Sequence, residues 1–552
     1  MPLRPRLRSR GAALLAGLTL LSLLPVASVS AQTYPVESIG PPKPVPAPDP
    51  APLEAFAGGL ASGGQTIAVG SPAADGLRGK VELLDRSGDS FQLVDTLAPA
   101  SLPARAGFGG AIELDGDTLA VGAPNPHYPS SSPGAVWIFV RSGGAFVFQQ
   151  ELVPASALLG DQFGRSLALD GERLLVGAPF DDDLGAQSGS AFVFERVGEV
   201  WTETAQLLPN DGASGDQFGR SVALSGDTAL VGAWLSDAAT DDDDAPVSDA
   251  GAAYVFVTED DVLWSQQAQL LDEAEPEPSD HMGQSVGLHE DHALVGAPRD
   301  DMLADDTGVV HHFARAADTW SLTRTFQELG VTPGGQFGSS MSSVNNLLLV
   351  GSPYSGINAK GRAIVFERDD QGDYSQIKKL ESFLVPDQSH FGTTVAAGSS
   401  HLLFGAPTAD GAASDGGALL NSPLSLSGNW ISLGKALAGT NGEPVLSGTG
   451  TIIMDEPFEL SMSNGLPNSS VAMIMGFTEV CAPFKGGFLV PSTDFIFYDL
   501  ITDGTGSMTL GGDWPTGFSG PWDAVFQVWF PDPGAVHGFA ASNGLLGEVP
   551  PG

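Results

Sequence analysis

The sequence predicts an all-β fold: a ring of seven four-stranded units followed by a second all-β domain of sandwich type. Three observations predict it. A segment reading Val-Gly-Ala-Pro in its best copies recurs, with its glycine at Gly70, Gly122, Gly177, Gly232, Gly296, Gly351 and Gly405, at spacings of 52, 55, 55, 64, 55 and 54 residues. Thirteen residues before each of the last six stands a second glycine, at Gly109, Gly164, Gly219, Gly283, Gly338 and Gly392, preceded by Phe108, Phe163, Phe218, Met282, Phe337 or Phe391. In the first copy this pair has decayed to Phe56-Ala57. Between these marks apolar and polar residues alternate with period two, punctuated by a generous supply of turn formers, 71 Gly and 41 Pro in 552 residues. That is the chemistry of strands and turns, repeated at a fixed period.

Each copy reads as four strands in order. In copy three the first is SLALD, closed by a Gly-containing turn, and the second is RLLVGAP, stopped by proline. A loop of variable length leads to a small-and-aromatic third strand, AFVFER at 191–196, matched by AVWIFV at 135–140, AYVFV at 253–257 and AIVFER at 363–368. The fourth strand opens on an aromatic residue: Phe91, Phe146, Trp201, Trp264, Trp320 or Tyr374; Trp430 fits either the seventh or the start of the C-terminal module, in which case blade seven must borrow a strand from elsewhere, such as residues before Phe56. Radial repetition of such units hides the sheet edges that an open all-β chain would expose, so a propeller is expected rather than a linear stack. The paired glycines fit the crowding where inner strands converge, and the adjoining Phe is expected to wedge between neighbouring blades.

The Phe-Gly and Gly-Ala-Pro pair resembles the signature of FG-GAP repeats, over about residues 54–424. The resemblance implies the seven-bladed propeller of integrin α-subunits and of secreted bacterial proteins, with a role in adhesion or interaction. Integrin-type repeats carry a calcium loop, Asp-x-Asp-x-Asp-Gly-x-x-Asp, between the two motifs. Here only RSLALDGERLLV separates Gly164 from Gly177, and the other copies are equally short, so those calcium residues have no counterpart.

Residues 1–31 read as a signal peptide. Arg4, Arg6, Arg8 and Arg10 precede an apolar run at 11–27, and Val29-Ser30-Ala31 is a small-residue cleavage site. The protein is therefore expected to be secreted or displayed at the cell surface. Residues 32–53 read as a stiff Pro-rich linker. No later stretch is apolar for 18 or more positions, so no integral membrane segment is expected. The formal charge is −42, and −46 once residues 1–31, with four Arg and no acid, are removed. Such a surface repels nucleic acid and attracts cations and basic partners. Cys481 is the one cysteine, so no internal disulfide braces the fold.

The acids concentrate in the loops joining strands two and three: Asp181–Asp183 in copy three, Asp237 and Asp241–Asp244 in copy four, and Asp300, Asp301, Asp305 and Asp306 in copy five. Asp161, Asp216 and Asp280 precede the Phe-Gly positions, in connections that should lie on the same face. Calcium needs six to eight converging oxygens. Asp181 with Asp183, and Asp300 with Asp306, are the candidate Ca²⁺ ligands, set against the alternative of solvated loops. His311-His312 falls on one strand, so the rings should face opposite ways. His281, His289 and His292 look like a zinc cluster in sequence, yet His281 takes the repeat position of Gln162 and Gln217. No His-Glu-x-x-His or phosphate loop occurs.

Residues 425–552 alternate short apolar runs with turns and predict a β-sandwich. AGTNGEPVLSGTG, PFKGGFLVPSTD and GFAASNGLLG resemble a C-terminal module of exported proteins of environmental bacteria, which implies an origin and not an activity; attachment to the cell surface or matrix is the hypothesis for it. The chain is thus expected to be a non-enzymatic binding or adhesion protein presenting an acidic propeller face to an extracellular protein or polysaccharide. The alternatives are an extracellular hydrolase with a propeller-face active site and a structural component of the cell envelope.

Overall fold

A computed structural model describes residues 36–39, 42–45 and 56–547, with breaks at 64–65, 88–89, 125–131, 241–244, 259–262, 273–275, 382–384, 410–416, 427–429, 451–456, 492–494, 514–523 and others of one or two residues. The expected signal peptide, the acidic run Asp241–Asp244 and the side chain of Cys481 lie outside the described residues.

Among the described residues seven antiparallel sheets follow the seven copies. Blade three is typical: Ser166–Asp170, Arg173–Ala178, Ser190–Val197 and Val200–Leu207, paired in sequence order. Ser166 pairs with Gly177 and Leu167 with Val176, so the hairpin turn falls between Asp170 and Arg173. The second strand of each blade is buried on both faces. This explains its uninterrupted apolar character, as in the six buried residues Thr228–Ala233.

The first strands meet their neighbours in cyclic order, and the strand of blade seven, Thr394–Ala397, returns to that of blade one, Gly59–Gly63. The ring is therefore closed. The paired glycines account for the close approach. A Cβ on Gly177 would come 2.1 Å from the carbonyl oxygen of Gly219 in the next blade, and one on Gly232 would come 2.0 Å from that of Gly283. Hydroxyls fasten the same seam: Ser166 Oγ donates to the Gly219 carbonyl at 2.9 Å and Ser221 Oγ to that of Gly283 at 2.8 Å. Thr394 Oγ1 closes the ring by donating to the Ala57 carbonyl at 2.7 Å. The wedge residues Phe108, Phe163, Phe218, Phe337 and Phe391 are fully buried. Phe163 packs with Ile138 and Leu152 of blade two and Phe192 of blade three, so it bridges blades as expected.

Blade seven corrects one expectation, the linker, and decides one question the sequence leaves open. Its fourth strand does not begin at Trp430. Val36–Ile39 and Lys43–Val45, in the stretch read as a linker, pair antiparallel with Ala418–Leu426, with Ser38 opposite Ser425 and Pro44 opposite Leu420. Proline is tolerated here because the segment lies on the outer edge of its sheet, where one row of backbone groups has no partner strand. Trp430–Gly434 instead pairs with Gly544–Gly547, which pairs with Ala524–Pro531. That last strand continues to Ser470–Gly476 and Phe495–Ile501. A second sheet contains Val445–Gly450, Pro457–Ser463 and Met508–Asp513. Leu460, Met462 and Met508 of one sheet share a core with Met473, Phe526 and Val528 of the other, a two-layer packing. No helix among the described residues is long and apolar enough to cross a membrane.

Candidate functional site

The loops between strands two and three and the connections between blades meet on one face, as the strand order requires. Gln217 and Phe218, entering blade four, donate backbone N–H groups to Gln187 and Ser188 of the loop in blade three. The motif aspartates of the connections are turn-capping groups. Asp161, Asp216 and Asp280 each accept from the N–H three residues earlier, at Leu158, Ala213 and Glu277. Burial raises all three carboxyls, Asp161 to about 6 and Asp280 to about 7.

The candidate calcium residues divide. Asp181 is buried and occupied by its own blade: Oδ1 accepts the Asp183 N–H at 2.9 Å and Oδ2 the Ser190 hydroxyl at 2.9 Å. Burial raises its carboxyl, and these two bonds oppose the rise. Asp183 is exposed and accepts from Gln206 Nε2 at 2.8 Å. Each carboxylate is thus engaged by groups of its own blade. Asp300 repeats the position of Asp181, accepting the Met302 N–H at 2.8 Å. Asp306 does not join it; its N–H donates to Asp301 Oδ1.

What does join Asp300 comes from elsewhere. Asp272, just beyond the last strand of blade four, and His311, on the third strand of blade five (Val309–Ala316), place ligand atoms so that all three groups lie within 4.8 Å of one another. His311 is 1% exposed and Asp300 5%. His311 Nδ1 is 3.0 Å from Thr325 Oγ1, while Nε2 faces Asp272 Oδ2 at 3.9 Å, beyond hydrogen-bond reach. Burial lowers the imidazole pKa, with Asp272 acting against it. Burial raises Asp300 to about 6, opposed by the Met302 bond and reinforced by Asp272 and Glu277. Asp280 and Met282 line the same narrow cleft.

The strand alternation separates His312 from this group. His312 Nε2 lies 2.9 Å from His292 Nδ1, with Tyr374 of blade six edge-on at 5.4 Å. His281 is elsewhere again, against Trp234 at 4.6 Å between ring centroids. Thus His281 and His292 do not form one cluster.

A second grouping was missed by sequence reasoning. Arg220 lies over the Trp234 ring at 5.1 Å, and Trp234 Nε1 donates to Gln217 Oε1 at 3.0 Å. Burial, then the charge of Arg165, lowers Arg220 to about 9. Burial, then Arg299 and Arg220, lowers His281 to about 4. The signal was present: arginine follows Phe-Gly only in copies three and four, and Trp234 replaces the proline of Gly-Ala-Pro.

The closed ring of four-stranded sheets defines a β-propeller. Its repeats match a known family: residues 146–194, 201–256 and 264–313 each match the FG-GAP repeat, so this propeller carries FG-GAP repeats in three consecutive stretches. No curated protein matches the chain.

Proposed function

We propose that the protein is an exported, non-enzymatic binding protein that engages an extracellular protein through the face carrying the strand-two-to-three loops. FG-GAP propellers are commonly binding and adhesion proteins, which supports the class. One observation carries the assignment to this face. Large apolar side chains stand exposed there beside exposed acids: Leu158 at 64% and Leu159 at 70%, Leu184 at 41% after Asp182 and Asp183, and Met302 at 49% and Leu303 at 54% after Asp301. Acids that bond their own loops hold this surface in shape, so little ordering is left to oppose binding. A partner with apolar residues framed by lysine or arginine fits it. The arginines near Trp234 give the same face a positive island, which orients a partner as well as attracting one.

Binding of the purified chain to an array of basic amphipathic peptides tests the reading. A variant with Leu184, Met302 and Leu303 all changed to Ser should bind about tenfold more weakly, as expected for lost apolar anchors. Equal binding by that variant, or none by the parent, removes the protein-ligand reading. The Arg220–Trp234 pair supports a second reading, an acidic glycan held by stacking and charge. Retention on polygalacturonate that disappears in Trp234→Ala would establish it in place of the first.

A further inference from the structure

We infer that Asp272, Asp300 and His311 form a binding site for a divalent transition-metal ion, zinc above all, which clasps blade four to blade five. The site lies outside the repeat's Phe-Gly-to-Gly-Ala-Pro interval and does not depend on the reading of the binding face.

The argument begins with one atom. His311 Nε2 is buried, has no hydrogen-bond partner among the described residues, and is aimed at a carboxylate 3.9 Å away. A nitrogen lone pair there faces negative charge; an N–H there lacks an acceptor within reach. Either state is costly in a buried place. A cation between the imidazole and the two carboxylates satisfies all three groups at once.

The repeat shows that histidine is not needed for packing at this position. Its counterparts, three residues beyond the glycine that ends the loop, are Trp137, Phe192, Tyr254, Ile364 and Leu420, with Glu82 the one other charged or ionisable exception besides the weakly acidic Tyr254. The neighbouring interface shows how the fold neutralises an acid in the place of Asp272. Glu328, just beyond the last strand of blade five, meets Arg362 Nη1 at 2.7 Å and Lys379 Nζ at 2.7 Å. In blade five those two cationic positions are Val309 and Thr325. Two acids face an imidazole where the other interface supplies a guanidinium and an ammonium.

The donor set selects the ion. Two carboxylates and one imidazole suit zinc and its first-row neighbours, whereas calcium prefers oxygen alone. Zinc-ligand bonds of about 2.0–2.2 Å place tetrahedral donors about 3.4 Å apart, so the groups need close by only about an ångström. The second shell already exists: Thr325 Oγ1 stands 3.0 Å from His311 Nδ1, where it can accept from Nδ1–H in the tautomer that leaves Nε2 to ligate, and the Met302 N–H holds one oxygen of Asp300. Water or Asp280, at the same cleft, completes the coordination.

Calorimetric titration of the chelator-stripped full chain with Zn²⁺, paired with Co²⁺ spectra and thermal melts, tests the inference. One equivalent should bind, Co²⁺ should give tetrahedral d–d bands, and melting should shift upward with either ion. His311→Phe restores a residue that blade three uses, and should weaken binding about 100-fold or more while keeping the stripped-protein melt. Asp306→Asn should bind as the parent does. A thousandfold excess of Ca²⁺ should not displace the ion. Absence of a stoichiometric site, unchanged binding by His311→Phe, or displacement by Ca²⁺ would each overturn the assignment.

Discussion

Two adjacent blade interfaces solve the same electrostatic problem in opposite ways. Between blades five and six, Glu328 is 3% exposed and is met by Arg362, Lys379 and the Ser355 hydroxyl, the last at 3.0 Å. Between blades four and five, the corresponding acid, Asp272, meets a second acid and a histidine. The backbone is the same, and so is the loop that supplies Ser355 in one case and Asp300 in the other. A repeat fold therefore fixes where side chains meet without fixing whether their charges balance. Where they balance, the group is scaffold. Where they do not, an outside charge is called for.

The largest expected effect comes from unbalancing the finished interface. Glu328→Ala removes the acid that Arg362 and Lys379 share, leaving Arg362 its pair with Glu381, and should cost about 3 kcal/mol in urea unfolding. Asp300→Asn in metal-free protein should show no such loss, because it relieves a like-charge pair and its amide oxygen can still accept from Met302. A loss as large as that of Glu328→Ala would break the comparison.

A buried histidine beside an arginine gives the next test. His401 of blade seven is 1% exposed, with Nε2 2.9 Å from Ser62 Oγ and Nδ1 3.3 Å from Arg86 Nη1. Burial, then the Arg86 charge, lowers its pKa to about 3. Below pH 6.5 the unfolded chain takes up a proton that the folded chain refuses, so stability falls as pH falls from about 6.5 towards about 3. The slope is about 1.4 kcal/mol per pH unit for this group. His401→Gln should flatten that part of the pH–stability profile; an unchanged slope would remove His401 as its cause.

Smaller effects sharpen the contrast. Thr325→Lys puts an ammonium where Lys379 stands in blade six. It should raise the stability of the metal-free protein by about 1 kcal/mol in thermal melts and weaken Zn²⁺ binding. Tyr254→Phe, at the blade-four counterpart of His311, removes a hydroxyl 3.2 Å from Gln269 Nε2 and should cost about 0.5–1.5 kcal/mol, with no change in metal affinity.

Much of the ring was legible because its constraints are local and repeated. Gly177 has no room for a side chain beside Gly219, and Phe163 must fill the gap between blades, so both recur at fixed offsets. The closing strand was legible only as one of two alternatives. Pro35, Pro41, Pro42 and Pro44 make the segment read as an extended linker, and only pairing with Ala418–Leu426 makes it a strand. Trp430 was equally ambiguous until Gly544–Gly547 claimed it. Of the site, Asp300 was readable from loop composition, but its partners were not. Asp272 lies in another blade's exit and His311 on a strand, and no spacing rule links three such positions. The usable clue was a polar residue where Phe192, Tyr254 and Ile364 are the rule.

The strand that completes blade seven also sets an order of events. Ser38 pairs with Ser425, roughly 390 residues later, so the ring cannot shut until nearly all of the propeller has been made; the loop entropy itself grows only slowly with such length. The earliest described segment is the last to find its place. A chain built this way stays an open arc of blades until its last blade exists to receive the first strand.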